Sequence, residues 1–185
     1  MGETGYNEIS DNIVVMYPSK PRNPLNDAPQ TVSTTCIALP DEVIFVDCGV
    51  YPDLALKFRK LMEKKYQREC SHLILTHTHW DHMMAMEVFE DTNIVASKPG
   101  IEELRNFITT LRNTEHDKWS VLLNTEDNEV ITIMKKVKLF LPNVGVKKEI
   151  IIGSKENEVI YQVIGGHSRD SAYIYIPNEK IICLG

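Results

Sequence analysis

The stretch Leu73–His82, LILTHTHWDH, holds three of the six histidines of the chain. His77, His79 and His82 lie within six residues of one another, and Asp81 precedes the last of them. The apolar residues before the histidines predict a buried strand, and a helix is expected to begin near Asp81. The histidines would then lie at the carboxyl end of a strand, the edge at which open α/β sheets place their ligand sites.

The spacing of these side chains indicates a metal site. His77 and His79 are two residues apart, so in an extended segment they point to the same side and can bind one ion. Asp81 and His82 lie at the turn into the helix, where they can face a neighbouring position. Imidazole and carboxylate ligands together favour zinc, with iron or manganese as alternatives. A tetrahedral site needs more ligands than this segment supplies.

His167 is the candidate for a further ligand. It lies in the sequence GGHS, between two predicted strands. Paired glycines allow the backbone to turn sharply and to approach a ligand closely. We therefore predict that His167 joins His77 and His79 around one ion.

Asp47 follows four apolar residues in VIFVDCG, residues 43–49, and has two interpretations. It can be a turn-forming aspartate before glycine. It can also be the acceptor that orients a metal-binding histidine. The sequence does not choose between the two.

The composition is that of an ordinary globular protein, and we expect residues 1–185 to form a single domain. The chain is 43% hydrophobic and 25% charged, and its net charge is −6. An acidic balance without a run of Lys and Arg argues against nucleic acids and membranes as partners. The sequence leaves the oligomeric state open.

The N-terminus and the cysteines favour a cytoplasmic location. The sequence MGETGYNEIS lacks the basic and apolar regions of a signal peptide, and no apolar run approaches the roughly 18 residues that span a bilayer. The cysteines are far apart and form no CxxC pair, so we expect reduced core residues; they are Cys36, Cys48, Cys70 and Cys183.

The order of predicted elements favours an α/β fold with mixed sheets. Residues 18–29, which contain four prolines, predict a loop, and residues 114–146 have no clear assignment. Helices are predicted over 53–68, 83–89 and 99–111. Strands are predicted over 13–17, 31–39, 43–47, 72–75, 94–96, 149–152, 159–164, 172–176 and 180–184.

Three blocks of the sequence resemble the metallo-β-lactamase-fold hydrolase superfamily. HTHWDH, residues 77–82, matches its H-x-H-x-D-H motif, and VIFVDCG is similar to its strand that ends in Asp-x-Gly. GGHSRDSAYIYIPNEKIICLG is similar to its third-histidine block and the hairpin that follows. The resemblance covers about residues 12–185, and it is specific to the superfamily rather than to one activity within it.

The resemblance implies a four-layer αββα sandwich with a metal site at one edge of two sheets. His77, His79 and His167 would hold a first metal ion, and Asp81 and His82 would reach a second. One or two zinc ions would activate water for attack on an ester, thioester, lactam, lactone or phosphodiester of a small-molecule substrate. Asp81 would be catalytic, orienting the water and carrying its proton to the leaving group.

The chain also departs from the family pattern. In the family, the strand that corresponds to residues 180–185 is followed at once by an aspartate that bridges both metals, and a further histidine comes later. Here the sequence ends at Gly185. We therefore expect a domain whose C-terminal elements are missing, with one good metal site and half of another.

Two alternatives to a hydrolase remain open. The first is a mononuclear-iron oxidoreductase of the same fold, similar to the persulfide dioxygenases. The second is an inactive module that binds a metal or a partner because the second site is incomplete. Metal content and turnover distinguish these alternatives.

Overall fold

The computed structural model describes residues 5–17 and 32–185, which form two β-sheets. The first sheet contains β1 (Gly5–Ser10), β2 (Ile13–Tyr17), β3 (Thr34–Ala38), β4 (Val43–Val46), β5 (Cys70–Ile74), β6 (Asn93–Ser97) and β7 (Val144–Val146), side by side in chain order. Strands β1 to β4 pair antiparallel, whereas β4 to β7 pair parallel. This sheet is therefore mixed.

The second sheet is antiparallel and comes from the last quarter of the chain. Its strands are β8 (Glu149–Ile152), β9 (Val159–Val163), β10 (Ala172–Ile176) and β11 (Ile181–Leu184). They lie in the order β11-β10-β9-β8.

Helical segments connect the parallel strands. The α-helices are α1 (Pro52–Tyr66), α2 (Trp80–Met83), α3 (Lys98–Asn113), α4 (Trp119–Leu122) and α5 (Asn128–Met134), and Met86–Phe89 and His116–Lys118 are 3-10 helices. Among the described helices, none has both the length and the apolar character needed to cross a membrane.

Strand β4, in the middle of the first sheet, is buried on both faces, which explains why it is a continuous apolar run. In β4, Val43 and Phe45 pack toward the helices, while Ile44 and Val46 pack against the second sheet. On the helical side, Phe58 of α1 meets Phe45 edge-on, with ring centroids 5.5 Å apart. The described residues thus form three layers: helices, mixed sheet and antiparallel sheet.

The parallel pairing places the site. The carboxyl ends of β4, β5 and β6 lie at one edge of the first sheet because these strands run in the same direction. Asp47 follows β4 directly, and the histidine-rich segment follows β5. The topology therefore delivers both to the same edge.

The structure confirms the predicted strands and most of the helices within a few residues at their ends. The edge strand β1 was not predicted. The proline-rich loop at 18–29 and the start of the strand at 31–39 lie outside the described residues. Segment 114–146 contains α4, α5, a 3-10 helix and β7.

The single helix predicted over 83–89 is wrong. The chain forms α2, breaks at Met84–Ala85, and continues as a 3-10 helix. The Ala85 N–H donates to the Gly49 carbonyl, 3.1 Å away, instead of continuing the α-helical ladder. The His82 carbonyl accepts from the Cys48 N–H at 2.9 Å. Tertiary bonds to the loop after β4 therefore replace local ones.

Candidate metal centre

Three histidines converge at the edge of the first sheet. His77, His79 and His167 each place one ring nitrogen within 4.8 Å of the others. His79 Nδ1 and His167 Nε2 are 3.2 Å apart. His77 is buried, while the other two face solvent. The group is thus buried on the side of His77 and open to solvent on the side of His79 and His167.

Two connections bring the distant histidine to this group. His167 lies in the loop between β9 and β10, where Gly165 and Gly166 have φ angles of +69° and +129°. Only glycine adopts such conformations readily. Beyond the loop, the Ala172 N–H donates to the Thr76 carbonyl at 2.8 Å. This bond joins the start of β10 directly to the end of the β5 segment.

The geometry of His77 suits a metal ligand. Thr76 Oγ1 donates to Asp47 Oδ2 at 2.8 Å, so it can accept a hydrogen bond from His77 Nδ1, 3.1 Å away. That bond leaves the lone pair on His77 Nε2. Within residues 5–17 and 32–185, this buried nitrogen has no hydrogen-bond partner. A buried polar atom without a partner is costly, and a bound cation would satisfy it.

Asp47 lies behind this group and contacts His82. Its Oδ2 is 2.8 Å from His82 Nδ1, and its Oδ1 accepts the Thr76 N–H at 2.8 Å. The backbone of Asp47 is left-handed, with φ +54°, a conformation that aspartate tolerates better than most residues. Asp47 therefore makes the turn and contacts His82, and its role in orienting a metal-binding histidine stays a prediction.

Asp81 and His82 lie beside the three-histidine group. The rings of His77 and His82 are 4.0 Å apart between centroids, and His82 Nε2 is 3.9 Å from Asp81 Oδ2. The Asp81 side chain is 34% exposed. All the residues predicted for the site are thus assembled at one edge of the sheet, and their ligation of metal stays a prediction.

Burial and neighbouring charges separate the protonation of these imidazoles. Burial, followed by the nearby His82, lowers the pKa of His77 to about 4, although Asp47 opposes the shift. Burial and His167 also lower the pKa of His79. Both side chains are consequently neutral at pH 7, the form that binds metal.

His82 has the opposite behaviour. Burial alone would lower the pKa of His82, but the charge of Asp47 and its hydrogen bond outweigh burial and raise it. The same contact leaves His82 Nε2 on the side of Asp81.

Trp80 packs against the core, whereas Asp170 has a role that the sequence did not reveal. Trp80 Nε1 donates to the Leu123 carbonyl at 3.0 Å, and its ring packs against buried apolar residues on the helical side of the first sheet. Asp170 is 1% exposed and accepts the Thr78 N–H at 2.7 Å. The position of Asp170 just before a strand, in the loop of His167, was the available signal, but its partner lies 92 residues away.

The chain was compared with protein families and with solved structures. The model of the metallo-beta-lactamase superfamily matches residues 28–185. No curated protein sequence matches the chain significantly.

Solved structures share the fold. A metallo-beta-lactamase from Pontibacter korlensis superposes with a TM-score of 0.66 at 12% identity, covering 97% of this chain and 70% of that one. A metallo beta lactamase from Hirschia baltica gives a TM-score of 0.61 at 14% identity, covering 97% and 69%. At these identities, the likeness concerns the fold alone.

Proposed function

The chain belongs to the metallo-beta-lactamase superfamily, and we propose that it is a metal-dependent hydrolase of small molecules. The proposed bond is an ester, thioester, lactone or related linkage. The observation that carries the proposal is the convergence of the ring nitrogens of His77, His79 and His167. Among the described residues, the buried Nε2 of His77 has no hydrogen-bond partner. Three imidazoles with an open side fit a catalytic zinc site, which keeps one position free.

In the proposed mechanism, His77, His79 and His167 would hold a zinc ion, and Asp81 and His82 would contribute ligands to a second cation. A bound dication supplies Lewis acidity, lowering the pKa of water toward 7 and polarising the scissile carbonyl. Thr76 supports the arrangement because its hydroxyl fixes the ring of His77. Asp47 likewise fixes His82.

Asp81 is the proposed proton carrier. Its carboxylate is partly exposed and lies 3.9 Å from His82 Nε2, so it can contact both a water molecule and His82. The carboxylate accepts the proton of the attacking water as the carbon–oxygen bond forms. It then gives that proton to the leaving oxygen or sulfur as the scissile bond breaks.

The charge and the cysteines support the rest of the proposal. A net charge of −6 disfavours polyanionic substrates such as nucleic acids, and the proposed partner is a small molecule. All four cysteines are free, and three are buried, as expected of a protein in a reducing cytoplasm.

The decisive experiment pairs metal analysis with turnover. The purified chain is expected to contain one or two zinc ions and to hydrolyse members of a panel of esters, thioesters and lactones. His79→Ala should lose bound zinc and activity together. His116→Ala, which removes an exposed histidine outside the group, should retain both.

Other outcomes separate the alternatives. Iron with oxygen uptake would favour an oxidoreductase of the same fold. Bound metal without hydrolysis of any substrate class would favour a metal-binding module. Unchanged zinc content in His79→Ala would refute the assignment of His79 as a ligand.

A further inference from the structure

Asp170 is a buried carboxylate that bonds to both segments that carry the three histidines. Its Oδ2 accepts the backbone N–H of Thr78 at 2.7 Å and the Thr78 hydroxyl at 2.9 Å. Its Oδ1 accepts the hydroxyl of Ser168 at 2.6 Å. Thr78 lies between His77 and His79 in the chain, and Ser168 follows His167 directly. One side chain thus connects the neighbours of all three imidazoles.

We infer that Asp170 is a positioning residue that holds the His77–His79 segment and the His167 loop at metal-binding distance. The inference rests on the proposed function, because it assigns Asp170 a role toward the metal that the three histidines would bind. Without these bonds, the two segments would still be joined near the site by the Ala172–Thr76 backbone bond and by the contact between His79 Nδ1 and His167 Nε2.

Ser168 forms hydrogen bonds with Ser171 within the loop around Asp170. The Ser168 N–H donates to Ser171 Oγ at 3.0 Å, and the hydroxyls of Ser168 and Ser171 are 2.8 Å apart. The backbone of the His167 loop is therefore fixed on the side facing Asp170. A shift of the carboxylate would be transmitted to His167 through a single residue.

Helix α3 leaves room for the carboxylate at Gly100. A Cβ atom at this position would lie 2.7 Å from Asp170 Oδ2 and 3.0 Å from Thr78 Cγ2. The first contact is shorter than any real Cβ tolerates, so a side chain at Gly100 must displace Asp170 or the helix. A substitution at Gly100 thus offers a second way to disturb the same bonds without replacing Asp170.

The test measures zinc affinity by chelator competition and the visible spectrum of the cobalt-loaded protein, neither of which requires turnover. Asp170→Ala should weaken zinc binding by about 10- to 100-fold, the usual effect of losing a group that orients ligands, and should alter the cobalt spectrum. Gly100→Ala should weaken zinc binding in the same direction. Asp170→Asn should stay close to the unsubstituted protein, since its amide oxygen can accept from Thr78 and its amide nitrogen can donate to Ser168.

Asn143→Ala is the matched control. The Asn143 side chain accepts from the Ile94 N–H at 2.7 Å and donates to the Thr92 carbonyl at 3.3 Å, so its removal also breaks hydrogen bonds that tie distant segments together. This variant should melt at a lower temperature with unchanged zinc affinity and cobalt spectrum. An equal loss of zinc affinity in Asn143→Ala would assign the effect to general destabilisation and overturn the inference.

The remaining outcomes are also decisive. If the unsubstituted protein binds zinc and Asp170→Ala binds it equally well with the same cobalt spectrum, the positioning role is wrong while the proposed function stands. If the unsubstituted protein binds no zinc, the proposed function fails first. Should Asp170→Ala not fold, unchanged zinc affinity in both Gly100→Ala and Ser168→Ala, which removes the hydroxyl that donates to Asp170 Oδ1, would overturn the inference.

Discussion

Two buried carboxylates flank the histidine segment, and the chain delivers them differently. Asp47 bonds to Thr76 and His82, on the side of His82 and Asp81. Asp170 bonds to Thr78 and Ser168, on the side of the three-histidine group. Asp47 ends a strand of the first sheet, whereas Asp170 lies in the loop between two strands of the second.

The difference teaches that the position of a buried carboxylate can be predicted from the local sequence in one case and not in the other. Asp47 follows four buried apolar residues at the end of β4, so its place at the sheet edge follows from local pattern. Asp170 reaches Thr78 across 92 residues, and only the packing of the two sheets brings them together. The two carboxylates should therefore differ in their effects on stability and on zinc affinity.

The largest expected effect is on stability at Asp47. Asp47→Ala should lower the free energy of unfolding by about 3 kcal/mol, because the buried Thr76 N–H and hydroxyl lose their acceptor. The loss should exceed that of Asp170→Ala by about 1 kcal/mol, since alanine is disfavoured at the left-handed φ of residue 47. Urea denaturation of the metal-free proteins measures both.

Asp47→Gly is the control for the backbone contribution. Glycine removes the same carboxylate but accepts the left-handed conformation without cost. We expect Asp47→Gly to be more stable than Asp47→Ala. Equal unfolding free energies for the two variants would contradict this account.

A smaller effect is expected from the threonine hydroxyls that bond to each carboxylate. Thr76→Val and Thr78→Val should each lower the free energy of unfolding by about 1–2 kcal/mol. Each removes a hydrogen bond to a carboxylate without changing the shape of the side chain. Thr76→Val should weaken zinc binding more than Thr78→Val, since the Thr76 hydroxyl is 3.1 Å from His77 Nδ1 whereas the Thr78 N–H keeps its own bond to Asp170. Equal effects of the two variants on zinc affinity would remove this distinction.

The smallest effect concerns protonation in the metal-free protein. In NMR titrations, His82 should titrate above its ordinary value because Asp47 raises its pKa, whereas His77 should remain neutral until about pH 4. Asp47→Asn should lower the pKa of His82. The contrast would fail if His77 titrated above His82.

These shifts have opposite signs for stability. His82 binds its proton more tightly in the folded state, so its contribution is present below about pH 6.5 and is lost as the pH rises through its folded pKa. His77 binds its proton less tightly in the folded state, so stability is lost as the pH falls from about 6.5 to 4.

Much of the fold could be read from local pattern. The apolar strands β4 and β5, the amphipathic helix α1 and the four strands of the second sheet all follow from periodicity and turn residues. The helix predicted over 83–89 failed because four consecutive residues from Met83 are fully buried. Such a segment has no polar face, and its backbone is instead shaped by bonds to the loop after β4.

By itself, the sequence determined the chemistry of the site: imidazoles and a carboxylate at the end of a buried strand, with His167 as a distant partner. Tertiary structure decided which atoms meet. It left the buried Nε2 of His77 without a hydrogen-bond partner among the described residues, directed Asp47 to His82, and placed Asp170 between the two histidine-bearing segments. The reason is that periodicity reports on neighbours within a strand or a helical turn, whereas these contacts join segments that only the packing of the two sheets brings together.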